Sequence, residues 1–169
     1  MARPLQHTLT PWELCPKQVK ESSFGFNDFS REKDLCDYIE VNADRFCRDV
    51  LEEDYVSHHR EWDMGHSMSP WYGTGRRTVD FMFRTDKSDC VIVECKNPTH
   101  TYSELRDAVS QLMAYRVMCM DSGIEPNRCL IVTSEYHPIV GRMIHEYSLP
   151  FELIVLAKGK AMKMKEVLL

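Results

Sequence analysis

Residues 79–96 read VDFMFRTDKSDCVIVECK, two runs rich in Val, Ile and Phe on either side of a polar turn. Such runs, bounded by Asp, Lys and Ser, predict a β-hairpin. Centring the turn on Lys87 sets Phe83 against Val91 and Phe81 against Val93, so the apolar side chains share one face. The same register sets Asp80 against Glu94 on the other face, with β-carbons about 5 Å apart. Two bare carboxylates at that separation repel or share a proton. A divalent cation between them removes the conflict, and Mg²⁺ takes few carboxylates, keeps waters and suits phosphate substrates. Lys96 lies two residues beyond Glu94 and points to the same side. It stays protonated beside two acids unless burial overrides them, and can then orient an attacking water or offset charge on phosphorus. Together the three side chains suit phosphodiester hydrolysis with metal-activated water. The bland alternative is a salt-bridged hairpin on a water-facing sheet; the apolar run VIVEC argues against it.

Outward from the hairpin, strands and helices alternate. Upstream, Ser30 is a candidate N-cap for a helix over residues 31–51. Its apolar stripe is Leu35, Cys36, Ile39, Ala43, Phe46 and Val50, at helical spacing. Glu32 lies at the N-terminal end of that stripe. Residues 55–78 read as a short strand and a long loop, and the flanking strands of the hairpin as 78–84 and 90–96. A helix over 103–121 closes at Gly123. A buried strand over 129–133, a helix over 137–147 and a strand over 151–157 follow. A Lys-Gly-Lys turn then leads to a last strand near 162–167. The alternation predicts an α/β fold, a central mixed sheet flanked by helices. Residues 1–29, with Pro4, Pro11, Pro16 and Gly25, read as an irregular arm on a single domain spanning 30–169.

Composition sets outer limits. A chain of 169 residues, 43% of them hydrophobic, buries one core and suits one domain. It contains no apolar run of about 18 residues and no signal-peptide pattern at its start, so no membrane partner is expected. The seven cysteines are odd in number and include no CxxC pair. That pattern predicts free thiols and an intracellular, reducing location, cytoplasmic or beside the genome. The formal charge of -5 does not advertise a nucleic-acid binder, but a local patch can hold a phosphate backbone regardless of the sum.

An E-x-K triplet alone is weak evidence, since roughly one chain in two of this size contains one by chance. The order of features carries more. A helix with an inward acid precedes a strand Asp, then E-x-K, then a helix bearing Gln111 and Tyr115. This order resembles the PD-(D/E)xK superfamily, the restriction-endonuclease-like nucleases. Within it, SREKDLCDYIEVN, GRRTVDFMF, VIVECK and AVSQLMAYR are similar to the C-terminal nuclease domain of archaeal and actinobacterial mismatch-type endonucleases. The resemblance covers about residues 30–157. Val79 stands where the motif's name has proline, and Arg76-Arg77 sits slightly earlier than the subgroup's G-R-x-D.

The resemblance implies a metal-dependent nuclease, acting on DNA in preference to RNA, with Mg²⁺ or Mn²⁺ as cofactor. Asp80 and Glu94 would be metal ligands, joined by the backbone carbonyl of Cys95, with Lys96 as the catalytic lysine. Glu32 would be the helix acid near the metal, Glu40 the alternative. Gln111 and Tyr115, four apart on one helical face, would line the site. Relatives that cut duplexes act as homodimers, because two antiparallel strands call for two sites related by a twofold.

The remaining motifs have two readings each. Arg76, Arg77 and Arg116 are candidates for phosphate contacts, or plain surface residues. Trp71 and Tyr72, with Trp62, could stack on bases or pack a loop. His58, His59, Asp63 and His66 match no familiar zinc spacing and read as a solvated loop. The competing function is a catalytically inactive module that keeps the nuclease fold and binds nucleic acid or a protein partner.

Overall fold

The computed structural model describes residues 19–22, 31–63, 78–96, 102–133 and 138–156. Among them the chain runs β1 (Val19–Ser22), α1 (Glu32–Val41), α2 (Ala43–Phe46), a π-helical turn (Cys47–Leu51), β2 (Tyr55–Asp63), β3 (Thr78–Thr85) and β4 (Val91–Lys96). It continues through α3 (Tyr102–Asp121), β5 (Arg128–Thr133), α4 (Pro138–Glu146) and β6 (Glu152–Leu156). The strands form one mixed sheet in the order β1-β6-β5-β4-β3-β2. β4, β5, β6 and β1 pair in parallel, and β3 and β2 add on antiparallel.

The hairpin has the expected register, with Phe81 opposite Val93 and Phe83 opposite Val91. Thr85 and Ser88 close its turn: Thr85 N–H donates to the Ser88 carbonyl at 2.8 Å, and Ser88 N–H to Thr85 Oγ1 at 2.9 Å. β4 is buried at every position, as a central strand covered on both faces should be. On one face, α1, α2 and the π-helical turn pack Leu35, Ile39, Phe46 and Val50 against Phe81, Phe83, Val91, Val93 and Cys95. On the other, α3 and α4 pack Leu105, Leu112, Val140 and Ile144 against Ile92, Ile131 and Leu153. α3 ends as expected at Gly123, whose φ of 77° is the left-handed conformation that glycine accepts without strain.

Three stretches differ from the sequence reading. The helix over 31–51 is not continuous: it breaks at Asn42, where φ is -115°. Asn42 Nδ2 donates to the Tyr38 carbonyl at 2.9 Å, a local bond that competes with helix propagation. Its last turn is π-helical and stops at Glu52 in the left-handed region, φ 59°. Residues 19–22, read as part of an irregular arm, form β1 and extend the sheet beside β6. Four residues reading VKES carry no local signal; a distant parallel neighbour supplies their hydrogen bonds. β2 is nine residues long rather than short, because the hairpin edge offers it a full-length partner. The last strand near 162–167 lies outside the described residues. No helix among the described residues is long and apolar enough to cross a membrane.

Candidate active site

The carboxyl end of β4, the start of β3 and the first turn of α1 meet at one edge of the sheet. Parallel β-sheets place ligand sites beyond the carboxyl ends of their strands. Lys96, the last residue of β4, holds two acids there: its Nζ donates to Glu94 Oε1 at 2.9 Å and lies 3.5 Å from Glu32 Oε2. Helix α1 begins at Glu32, directly after the extended Arg31, so the first helical residue carries the carboxylate that meets the strand end. Glu40, one face further along, is committed elsewhere, to an ion pair with Arg60 of β2.

Asp80 departs from simple alternation. Glu61, beside it on β2, has φ of 49°, a conformation that disturbs the pleat of a paired strand. Val79 joins the core under α3, whereas Phe81 and Phe83 join the core under α1. The paired register runs only from Phe83 to Phe81, so Asp80 and Glu94 are not a ladder pair, yet the Asp80 charge still raises the Glu94 carboxyl. Asp80 Oδ2 accepts the Cys95 N–H at 2.7 Å, and the carboxylate lies among the Cys36 and Cys95 side chains.

The electrostatics bind the group together. Glu94 is 3% exposed, and its carboxyl is pushed up to about 7, by burial first and then by the charge of Asp80, against the pull of Lys96. Asp80 is raised by burial, partly offset by the Cys95 N–H and by Lys96. Glu32 is raised by burial, with Lys96 opposing and Asp80 adding to the shift. Burial depresses Lys96, but Glu94, Glu32 and Asp80 outweigh it and hold the ammonium above its ordinary range. Three acids around one lysine leave an excess of negative charge. Among the described residues, Glu94 Oε2 is buried without a hydrogen-bond partner, a state that costs several kcal/mol for a charged oxygen unless a cation or proton satisfies it. An orphaned, buried, hard oxygen beside a second carboxylate fits a divalent cation such as Mg²⁺ or Mn²⁺.

The other expected residues divide. Gln111 lies on α3 with Oε1 buried and, among the described residues, unbonded. Tyr115 is 7% exposed and packs in the core under α3. Arg116 sits where its charge reaches Cys129, which pairs with Ile92 at the opposite end of the sheet from Lys96; it is not brought to the site. Trp71, Tyr72, Arg76 and Arg77 lie outside the described residues, as does His66. His58 packs on Phe81 and Phe83 and meets Tyr55 Oη at 3.0 Å, while His59 is exposed on β2. Trp62 packs against the α3 core.

Sequence reasoning missed four residues whose charge or side chain reaches this edge. Arg60 lowers and Glu61 raises the Asp80 carboxyl, Glu104 in the first turn of α3 raises Glu32, and Cys36 meets Asp80. Cys36 had a signal, its place in the α1 stripe one turn beyond Glu32. The others had none.

No family profile matches the chain, and no curated protein sequence matches it. A solved structure does: a repair endonuclease from Pyrococcus abyssi superposes with a TM-score of 0.51 at 18% identity over 80% of this chain. The match takes in 50% of that protein, so this chain spans about half of its length. At that identity the likeness shows a shared fold: the α/β architecture with its central mixed sheet is common to the two structures.

Proposed function

We propose that this chain is a divalent-metal-dependent nuclease of the PD-(D/E)xK type that hydrolyses phosphodiester bonds, in DNA rather than RNA. One observation carries the reading: buried Glu94, with an unsatisfied oxygen, is joined through Lys96 to Glu32 and coupled by charge to Asp80. Asp80, Glu94 and the Cys95 carbonyl would hold Mg²⁺ or Mn²⁺, with Glu32 facing the same space. When bound, the cation supplies an activated water and offsets charge on the phosphoryl oxygens. The chain's own residues do the rest. Lys96 is held as a cation, so it serves as donor and counter-charge to a phosphate oxygen, not as base. Glu94 fixes the Lys96 ammonium, and Glu32, half-exposed at the helix start, orients water by accepting its proton in a hydrogen bond. Gln111 offers a second buried oxygen on the α3 side. Cutting both strands of a duplex would use a twofold pair of chains.

The fold of a repair endonuclease agrees with this assignment. The test is incubation of the full chain with labelled single-stranded, duplex, flap and mismatched DNA, and with RNA, in Mn²⁺ against EDTA. Cleavage is expected with Mn²⁺ and none with EDTA. Glu94→Ala should fall to background while keeping its circular dichroism. Full activity in that variant rejects the assignment. An inactive module would instead show no Mn²⁺ binding heat that depends on Asp80.

A further inference from the structure

Cys36 on α1, Cys95 on β4 and Asp80 on β3 come from three separate elements. Yet their two sulfurs and one carboxylate oxygen all lie within 4.8 Å of one another. Tetrahedral zinc, with Zn–S bonds near 2.3 Å, places its ligand atoms roughly 3.5–4 Å apart, so contraction by at most about 1.3 Å would complete three corners of a site. Both thiols are buried, and Asp80 is less so, which leaves the carboxylate side as the entry path. The donors are soft sulfur with one oxygen, a set that selects zinc-class cations over magnesium.

From this we infer that Cys36, Cys95 and Asp80 form a second, thiolate-rich site for a zinc-class cation, and that its occupation draws the Asp80 carboxylate away from the oxygen-ligated site. The binding stands on the cluster alone; the competition rests on the nuclease reading above. Each thiol loses a proton as its metal bond forms, so two thiolates and one carboxylate surround the dication. Zinc would therefore act as an off-switch for a Mg²⁺- or Mn²⁺-dependent activity, through a shared ligand.

Cobalt is the probe. The full chain, stripped of metal and held reduced at about pH 8, is titrated with Co²⁺ and followed by its sulfur-to-cobalt charge-transfer absorption. Wild type should show the band, Cys119→Ser should keep it, and Cys36→Ser and Cys95→Ser should each lose or halve it. Asp80→Asn should keep the band with binding weakened on the order of tenfold. A full band in Cys36→Ser, or none in wild type, overturns the site. If the cysteine variants do not fold, zinc-edge absorption on wild type decides: two sulfurs with lighter ligands support the site, and any other sulfur count refutes it. Calorimetry of Mn²⁺ with and without zinc then tests the competition separately. Loss of Mn²⁺ binding upon zinc loading supports it, and unchanged Mn²⁺ binding removes the switch while leaving the cobalt result standing.

Discussion

Glu94 shows how a strongly perturbed group arises from ordinary residues. Its place in an apolar strand buries it, Asp80 adds like charge, and Lys96 only partly compensates. In the metal-free fold the carboxyl therefore keeps its proton up to about 7, above the ordinary 4.5. The folded state binds that proton more tightly than the unfolded chain. The group's contribution to stability is thus complete below about 4.5 and is lost as pH rises through about 7. Metal-free Glu94→Gln has no such loss. Between pH 5 and 8 its stability relative to wild type should improve by up to about 3 kcal/mol, read from paired thermal melts. On the proposed function, saturating Mn²⁺ should reverse the order, because only the carboxylate would hold the ion. An unchanged gap across that range would mean that Glu94 is solvated.

At the scale of elements, the opposite end of the sheet is built for stability. Arg128, at the start of β5, donates to Glu152 of β6 at 2.7 and 2.8 Å, to Glu53 at 3.0 Å and to the Leu51 carbonyl at 2.8 Å. One guanidinium thus ties two strands to the end of the π-helical turn. Arg128→Ala would strand two part-buried carboxylates, and a loss of roughly 2–4 kcal/mol in urea unfolding is expected. Mn²⁺ affinity measured under folding conditions should stay unchanged, since Lys96 is at the other end of β4. The break at Asn42 and the left-handed Glu61 do a different task. The first interrupts the helix between two buried stretches, and the second lies on the strand beside Asp80, whose carboxylate accepts the Cys95 N–H.

Seen whole, the molecule is acidic, with a formal charge of -5, and its site adds three carboxylates for one lysine. On the proposed function, binding to a polyanion would then come from few, local phosphate contacts and from a bridging cation. The slope of log affinity against log salt for duplex DNA should be shallow, about -2 to -4, in fluorescence anisotropy with Ca²⁺ or with Lys96→Ala to prevent turnover. A much steeper slope would reveal a broad basic face.

The residues that determined the fold class could be read directly. The alternation of β3, the apolar run Val91–Val93 of β4 and the turn between them set the hairpin register. The i, i+4 stripe of α1 set its buried face. Glu94 and Lys96 were legible for the same reason, since two charges inside VIVECK have no cheap explanation in a buried strand. Only the tertiary structure decided the rest. β1 exists because β6 offers an edge more than a hundred residues away in the chain, and Asp80 accepts the Cys95 N–H rather than forming a ladder pair with Glu94. Cys36 meets Asp80 and Cys95 because a helix crosses two strands. Local sequence encodes period and propensity, which act between near neighbours. Which distant side chains share one pocket depends on how whole layers pack, and no window of the chain contains that information.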